Sequence, residues 1–218
     1  MPAAFFDLER TLTPHAVEQE AALEFFRRGE IGVRDVLRTL WIYAKYNLGL
    51  IGEFEDLKQA GAVVFGGRDP DRDPQQFAEY FESKLKAAIP QESIDTVRAF
   101  HEKGVDVWII SSTYAFMVAP YAAFFGAVEY RGCVLEVEDG QTTGRIVDGT
   151  IFHQDRKADV VRQAAAERGY DLAECHAFGD STNDLAMLRA VGHPHAVNPR
   201  SKLRAVAEGE GWPIHAWL

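Results

Sequence analysis

The spacing of apolar residues changes character twice along the chain. The first run, Ala3 to Leu8, is short and aromatic-rich and ends in a polar turn, which predicts a buried strand. From His15 to about Lys103 apolar residues recur at helical spacing: Phe25, Phe26, Leu37, Leu40, Trp41 and Ile42, then Phe77, Tyr80, Phe81 and Leu85. Gly29, Gly49 and the Gly66-Gly67-Arg68-Asp69-Pro70 cluster punctuate this stretch. Beyond it, strands and helices alternate. Val105 to Ile110 predicts a buried strand, followed by a helix through Phe116 and Val118. Cys133 to Val137 and Thr142 to Ile146 predict a hairpin turning at Asp139-Gly140, a pair that accepts positive φ. A helix over Arg156 to Arg168, a strand in the CHAFGD segment, a helix over Asn183 to Ala190, a short strand near Ala196 and a closing helix and strand complete the pattern.

Strands alternating with helices predict an α/β fold, doubly wound, with a mainly parallel sheet covered on both faces. Residues 1–12 and 91–218 are expected to form this core, with residues 13–90 inserted after the first strand as an all-helical cap. No internal repeat is present. A chain of 218 residues, 47% hydrophobic and 26% charged, can bury a sizeable core. Its formal charge of −10 argues against nucleic acid as a partner and disfavours anionic membrane surfaces. The start MPAAFFDLER lacks the basic region of a signal peptide. The apolar stretch Leu40 to Ile51 is interrupted by Lys45 and Asn47 and is too short to span a bilayer. A soluble, cytoplasmic protein is expected. Cys133 and Cys175 show no metal or disulfide spacing and read as small buried apolar residues.

In doubly wound folds, ligands bind at the carboxyl ends of the strands. Asp7, Glu9 and Thr11 follow the first strand, and Ser111 and Ser112 follow the second. Lys157 opens the helix after the hairpin, and Asp180, Asn183 and Asp184 follow the CHAF strand in GDSTND. Clustered carboxylates repel one another, so a divalent cation is their natural neutraliser, and all-oxygen ligands favour Mg²⁺. A carboxylate beside that metal can attack phosphorus, while a second carboxyl two residues on protonates the leaving oxygen and later activates water. Ser111 and Lys157 suit the oxygens over which transition-state charge spreads.

Four ordered motifs carry a resemblance to a known family: Asp7-Leu8-Glu9-Arg10-Thr11, Ser111, Lys157, and Gly179-Asp180-Ser181-Thr182-Asn183-Asp184. As a set they resemble the haloacid dehalogenase superfamily of aspartate-nucleophile phosphatases, in the branch similar to phosphoserine phosphatase with a helical cap. The resemblance implies that Asp7 is the nucleophile and a Mg²⁺ ligand. It implies that Glu9 lends its backbone carbonyl to the metal and its side chain to acid–base work. Asp180 would be the third protein ligand, and Asp184 would orient metal-bound water or Lys157, with Asn183 nearby. Ser111 and the Ser112 amide would bind phosphoryl oxygens, and the partner would be a small phosphorylated substrate.

Two departures qualify that reading. The family has Asp where this chain has Glu9, and a small residue where it has Arg10. Glu9 moves the acid outward by about 1.5 Å, and a misplacement near 1 Å can cost on the order of 100-fold in rate. Arg10 either binds the substrate phosphate or lies over the cap. The cap Glu that reads the amino group in phosphoserine phosphatases has Ala16 at its counted position, with Glu18 and Glu20 off-register, so phosphoserine is not the expected substrate. Two alternatives remain at this level: transfer of the phosphoryl group to an alcohol, and a protein that only binds a phosphorylated ligand because Glu9 has cost it the chemistry. Other features read as structural. Trp41, Tyr43, Tyr46 and Phe54 form cap core, with a pocket lining as the alternative; residues 69–74 form a solvated loop; and His193 with His195 lie in a loop-to-strand segment, not a zinc site.

Overall fold

A computed structural model describes residues 1–48 and 54–218. Among them, six strands form one parallel sheet: β1 (Ala3–Phe6), β2 (Asp106–Tyr114), β3 (Glu129–Cys133), β6 (His176–Gly179), β7 (His193–Val197) and β8 (Ile214–His215), in the order β3-β2-β1-β6-β7-β8. The remaining two, β4 (Leu135–Glu138) and β5 (Gln141–Ile146), pair as an antiparallel hairpin. β1 is buried at every position because both faces of the sheet are covered. On one face Phe6 stacks on Phe178 at 4.3 Å and meets Phe100 of α5 (Gln91–Glu102) edge-on at 6.0 Å. α6 (Ala115–Phe125) adds Met117, Val118 and Tyr121 to that core. On the other face Phe5 packs on Trp108 beneath α7 (Asp155–Arg168), α8 (Leu185–Arg189) and α9 (Ser201–Glu210). From β1 the chain runs outward through β2 and β3 on one side and through β6, β7 and β8 on the other. The order therefore reverses beside β1, and the switch point lies at its carboxyl end. The doubly wound α/β expectation is met.

Between β1 and α5 stand α1 (Val17–Arg27), α2 (Val33–Asn47), α3 (Phe54–Ala62), a 3₁₀ turn at Val63–Phe65 and α4 (Arg72–Tyr80), which runs on into a π-helical turn at Phe81–Leu85. These helices do not stand alone. Gln59 pairs through its amide with both the carbonyl and the N–H of Ile146, each at 2.9 Å. The Thr142 carbonyl accepts the Gly67 N–H at 2.7 Å, and the Thr142 N–H donates to the Arg68 carbonyl at 2.9 Å. The hairpin thus extends the helical layer with backbone pairing.

Several local expectations need correction. β1 ends at Phe6, so Leu8 already belongs to the following turn. β2 continues to Tyr114, which places Ser111 and Ser112 within the strand. Cys133 belongs to β3, opposite Tyr114, and not to the hairpin; parallel pairing with β2 claims its backbone before the chain leaves the sheet. Trp41 is 59% exposed, with Lys45 over its ring at 5.4 Å, so it is not cap core. Phe54 packs edge-on against His153 at 4.6 Å. The side chains of Tyr43 and Tyr46 lie outside the described residues. Residues 69–74 are not a solvated loop throughout: α4 begins at Arg72, and Asp73 in its first turn is buried and bonded to Arg68 at 2.8 Å, because a carboxylate removed from water needs a charged partner.

His193 and His195 are part of β7 and not of a loop. His176 Nδ1 lies 3.0 Å from His195 Nε2, and His195 Nδ1 lies 3.1 Å from His215 Nε2, so three strands carry a head-to-tail row of imidazoles. His193 stacks on His176, and Phe178 stacks on His195. Burial, followed by the neighbouring imidazoles of His215, His176 and His193, lowers His195 to about 4. In the unfolded chain a histidine titrates near 6.5. Between these values the unfolded state binds more protons than the folded one, so stability falls as pH drops from about 6.5 towards 4. The urea midpoint of the wild type is expected to fall more steeply across this window than that of His195→Asn; parallel curves would refute the assignment.

Candidate active site

The site is built on the turn that ends β1. Asp7 donates its N–H to the Phe178 carbonyl at 2.9 Å, extending the β1–β6 pairing by one bond and burying its carboxyl at the switch point. The chain then reverses tightly. The Leu8 carbonyl accepts N–H bonds from Leu12 at 3.0 Å, Thr13 at 3.2 Å and Thr11 at 3.3 Å, and Arg10 takes a left-handed φ of 60°. Asn198 Nδ2 donates to the Arg10 carbonyl at 2.9 Å, while Asn198 Oδ1 accepts the Trp217 N–H at 2.8 Å. The Arg10 side chain is exposed.

Opposite this turn, the first turn of α7 delivers Lys157. Gln154, which precedes the helix, adopts φ 47° and ψ −119°, a conformation that strains a side-chain-bearing residue. Its N–H donates to the Asn183 carbonyl at 3.0 Å, fixing the start of α7 against the GDSTND loop. Lys157 is buried, and its Nζ lies 2.5 Å from both Asp7 Oδ1 and Asp184 Oδ1. Asp184 is held by its second oxygen, which accepts the N–H and the hydroxyl of Ser181, each at 3.2 Å. Gly179 permits that approach: a Cβ there would stand 2.5 Å from the Asp184 Cβ. Asp180 lies beside them, with Arg200 Nε 3.1 Å from its Oδ2 and the Arg200 N–H bonded to its carbonyl at 2.9 Å.

Asp7, Asp180 and Asp184 are all buried and each offers an oxygen within 4.8 Å of the others. Burial raises the Asp7 carboxyl well above its usual value; Lys157 opposes that shift, and Asp184 and Asp180 add to it. Burial and then Asp184 raise Asp180. Burial acts to lower Lys157, but Asp184 and Asp7 together carry it above its ordinary value, so it is a fixed cation. The carboxylates retain excess negative charge after Lys157 and Arg200 are counted. An all-oxygen donor set with uncompensated charge fits Mg²⁺.

Phe6 pairs with Ile109, so Ser111 stands level with the turn beyond β1. It is buried, and its Oγ accepts the Thr113 N–H at 3.1 Å. Ser112 is half-buried, and its carbonyl accepts the Cys133 thiol at 3.0 Å. Burial pushes that thiol up to about 11, so Cys133 stays protonated at neutral pH. Asn183 is exposed, and what it gives the cluster is its backbone carbonyl.

The Glu9 side chain is held by the start of α1. Its Oε1 accepts the Glu18 N–H in the first turn of α1 at 3.3 Å. Burial and then the Glu18 carboxylate push Glu9 up to about 7, close to the working range of a general acid. Glu18 is ion-paired with Lys58 of α3, a buried lysine that also sits 4.6 Å from the Tyr114 ring centroid. Ala16 precedes α1 and carries no polar side chain. The sequence reading did not single out Lys58 or Arg200. Inspection of strand ends, carried one strand further to β7, reaches Arg200 in VNPRSK. Lys58 has no such signal, because its partner is 40 residues away.

The haloacid dehalogenase-like hydrolase family model matches residues 4–189. An "inhibition of morphological differentiation" protein of Streptomyces azureus is 32% identical over 215 residues, which is 97% of this chain and 77% of that protein. A phosphoserine phosphatase of Mycobacterium tuberculosis is 32% identical over 219 residues, covering 97% of this chain and 70% of the relative. A solved structure of a Bordetella pertussis protein of unknown function superposes with a TM-score of 0.89 at 26% identity, covering 100% of this chain and 99% of that one. With its family model spanning most of the sheet and the helical insertion, the chain belongs to the haloacid dehalogenase-like hydrolases.

Proposed function

We propose that the chain is a Mg²⁺-dependent phosphomonoester hydrolase that works through a phosphorylated Asp7. The observation that carries this reading is the buried group in which Lys157 bridges Asp7 and Asp184 while Asp180 completes the carboxylate set. Asp7, Asp180 and the Glu9 backbone carbonyl would hold the metal, which supplies positive charge to the phosphoryl oxygens.

The chain's own groups do the rest. Lys157 binds Asp7 Oδ1 and the Thr11 hydroxyl donates to Oδ2 at 3.4 Å, which together fix the carboxylate so that Oδ2 attacks phosphorus. Ser111, the Ser112 N–H and Lys157 meet the phosphoryl oxygens as charge spreads over them. The P–O bond to the leaving group breaks as the Glu9 carboxyl gives its proton to the departing oxygen. Glu9, now ionised, takes a proton from the water that hydrolyses the aspartyl phosphate. A pKa near 7 lets one carboxyl serve both steps. Phosphoserine is not the substrate in this reading: Ala16 stands where an amino-recognising Glu is needed, and Glu18 is engaged by Lys58.

With an aryl phosphate and Mg²⁺, phosphate release is expected from the wild type and only background from Asp7→Asn; equal rates would overturn the reading. Chelation is expected to stop release and added Mg²⁺ to restore it. Glu9→Gln is expected to lose on the order of 10²–10⁴-fold with alkyl phosphates and less with aryl phosphates, whose leaving groups need less protonation. Gly179→Ala forces Asp184 away from Lys157 and is expected to lower kcat by at least about 100-fold while the far-ultraviolet circular dichroism is retained.

A further inference from the structure

A cavity of about 510 Å³ lies between α1, α2, α3 and the end of β2. Leu23, Phe25, Phe26, Val36, Leu40 and Phe65 supply much of its wall. The volume is that of a small-molecule site. Its lining also includes Glu18 and Tyr114, the residues that flank Lys58, and Glu18 is bonded through its N–H to Glu9. The cavity is therefore joined to the Glu9 carboxyl through Glu18.

Its chemistry is one-sided. Among the described residues of the lining Glu18 is the sole carboxylate and there is no lysine, arginine or histidine, and the Glu18 charge is matched by Lys58. A leaving group carrying its own charge would find no free partner here and would be stripped of water without compensation. The outer end is also unusual. Leu23 is 48% exposed, Phe26 39% and Leu40 60%. From Leu40 the apolar surface continues along α2 through Val33, Leu37 and Trp41, all exposed and spaced to share one side of the helix. Contiguous exposed apolar surface of this kind marks a binding region. A compact ring would fill the cavity and leave that path unused, whereas an extended chain uses both.

We propose that this cavity binds the leaving group and that the substrate is a phosphomonoester of an extended apolar alcohol. The proposal rests on the phosphatase reading for its catalytic step: the ester oxygen bonded to phosphorus leaves as the alcohol after taking the Glu9 proton. The same chemistry has two sources, a free amphiphile in water or a lipid phosphate in a bilayer.

The test uses n-alkyl phosphates from butyl to decyl with Mg²⁺, each below its critical micelle concentration. A parallel series of non-hydrolysable n-alkyl phosphonates is titrated by calorimetry. Burial of one methylene is worth up to about fourfold in affinity, so kcat/KM and phosphonate affinity are expected to climb roughly twofold to fourfold per carbon until the cavity is full. Leu40→Asp is expected to flatten both slopes; Leu40 is exposed, so the fold tolerates the change. A climb with monomeric esters identifies a free amphiphile. A climb only with lipid phosphates in phosphatidylcholine vesicles identifies the bilayer. Flat series in rate, affinity and vesicles overturn the proposal, and continued hydrolysis of an aryl phosphate would then leave the phosphatase reading intact. Phosphonate affinity that climbs in a protein hydrolysing nothing would instead retain the chain-binding cavity and end the catalytic reading.

Discussion

The site depends on one buried ammonium. Lys157 lies 2.5 Å from carboxylate oxygens of both Asp7 and Asp184, and those residues come from opposite flanks of the switch point. Without it two carboxylates would face each other in a medium that screens poorly. Burying ions is costly, and mutual attraction repays that cost only where the remaining hydrogen-bonding capacity is also met. Here it is met on the Asp184 side by Ser181. Asp7 and Asp180 are raised by burial first and by the neighbouring carboxylates after it, and Lys157 and Arg200 offset this only in part. Three carboxylates against two cations is the charge balance on which the proposed Mg²⁺ site rests.

Backbone geometry delivers these charges. Parallel strands end together at the switch point, so short turns after β1 and β6 suffice to bring Asp7, Asp180 and Asp184 to one place. Lys157 arrives by a different route, through a strained residue at Gln154 tied to the Asn183 carbonyl. The glycine at 179 leaves room for the Asp184 carboxyl over the strand end. Each device serves position more than affinity, consistent with chemistry that depends on alignment.

Much of this was legible in the sequence, for identifiable reasons. Fully buried parallel strands are written as unbroken apolar runs, so AAFF and VDVWII stand out. Polar residues just after such runs are forced to the sheet edge, and this rule alone selects Asp7, Ser111 and Asp180. β3 was missed because Glu129-Tyr130-Arg131 at the sheet margin is only half-buried and reads as polar. Trp41 was misassigned because helical spacing shows which residues share a face, but not whether that face turns inward. The Glu18–Lys58 pair and the histidine row join residues from separate elements, and no local pattern encodes such a meeting.

The pairing of the β4–β5 hairpin with the helical insertion has a mechanical consequence. Gln59 grips Ile146 through donor and acceptor together, and Thr142 exchanges backbone bonds with Gly67 and Arg68. Displacing the helical insertion therefore means either carrying the hairpin along or breaking these bonds, and it also means parting Phe65 from Tyr114, Phe77 from Phe116 and Phe81 from Tyr121.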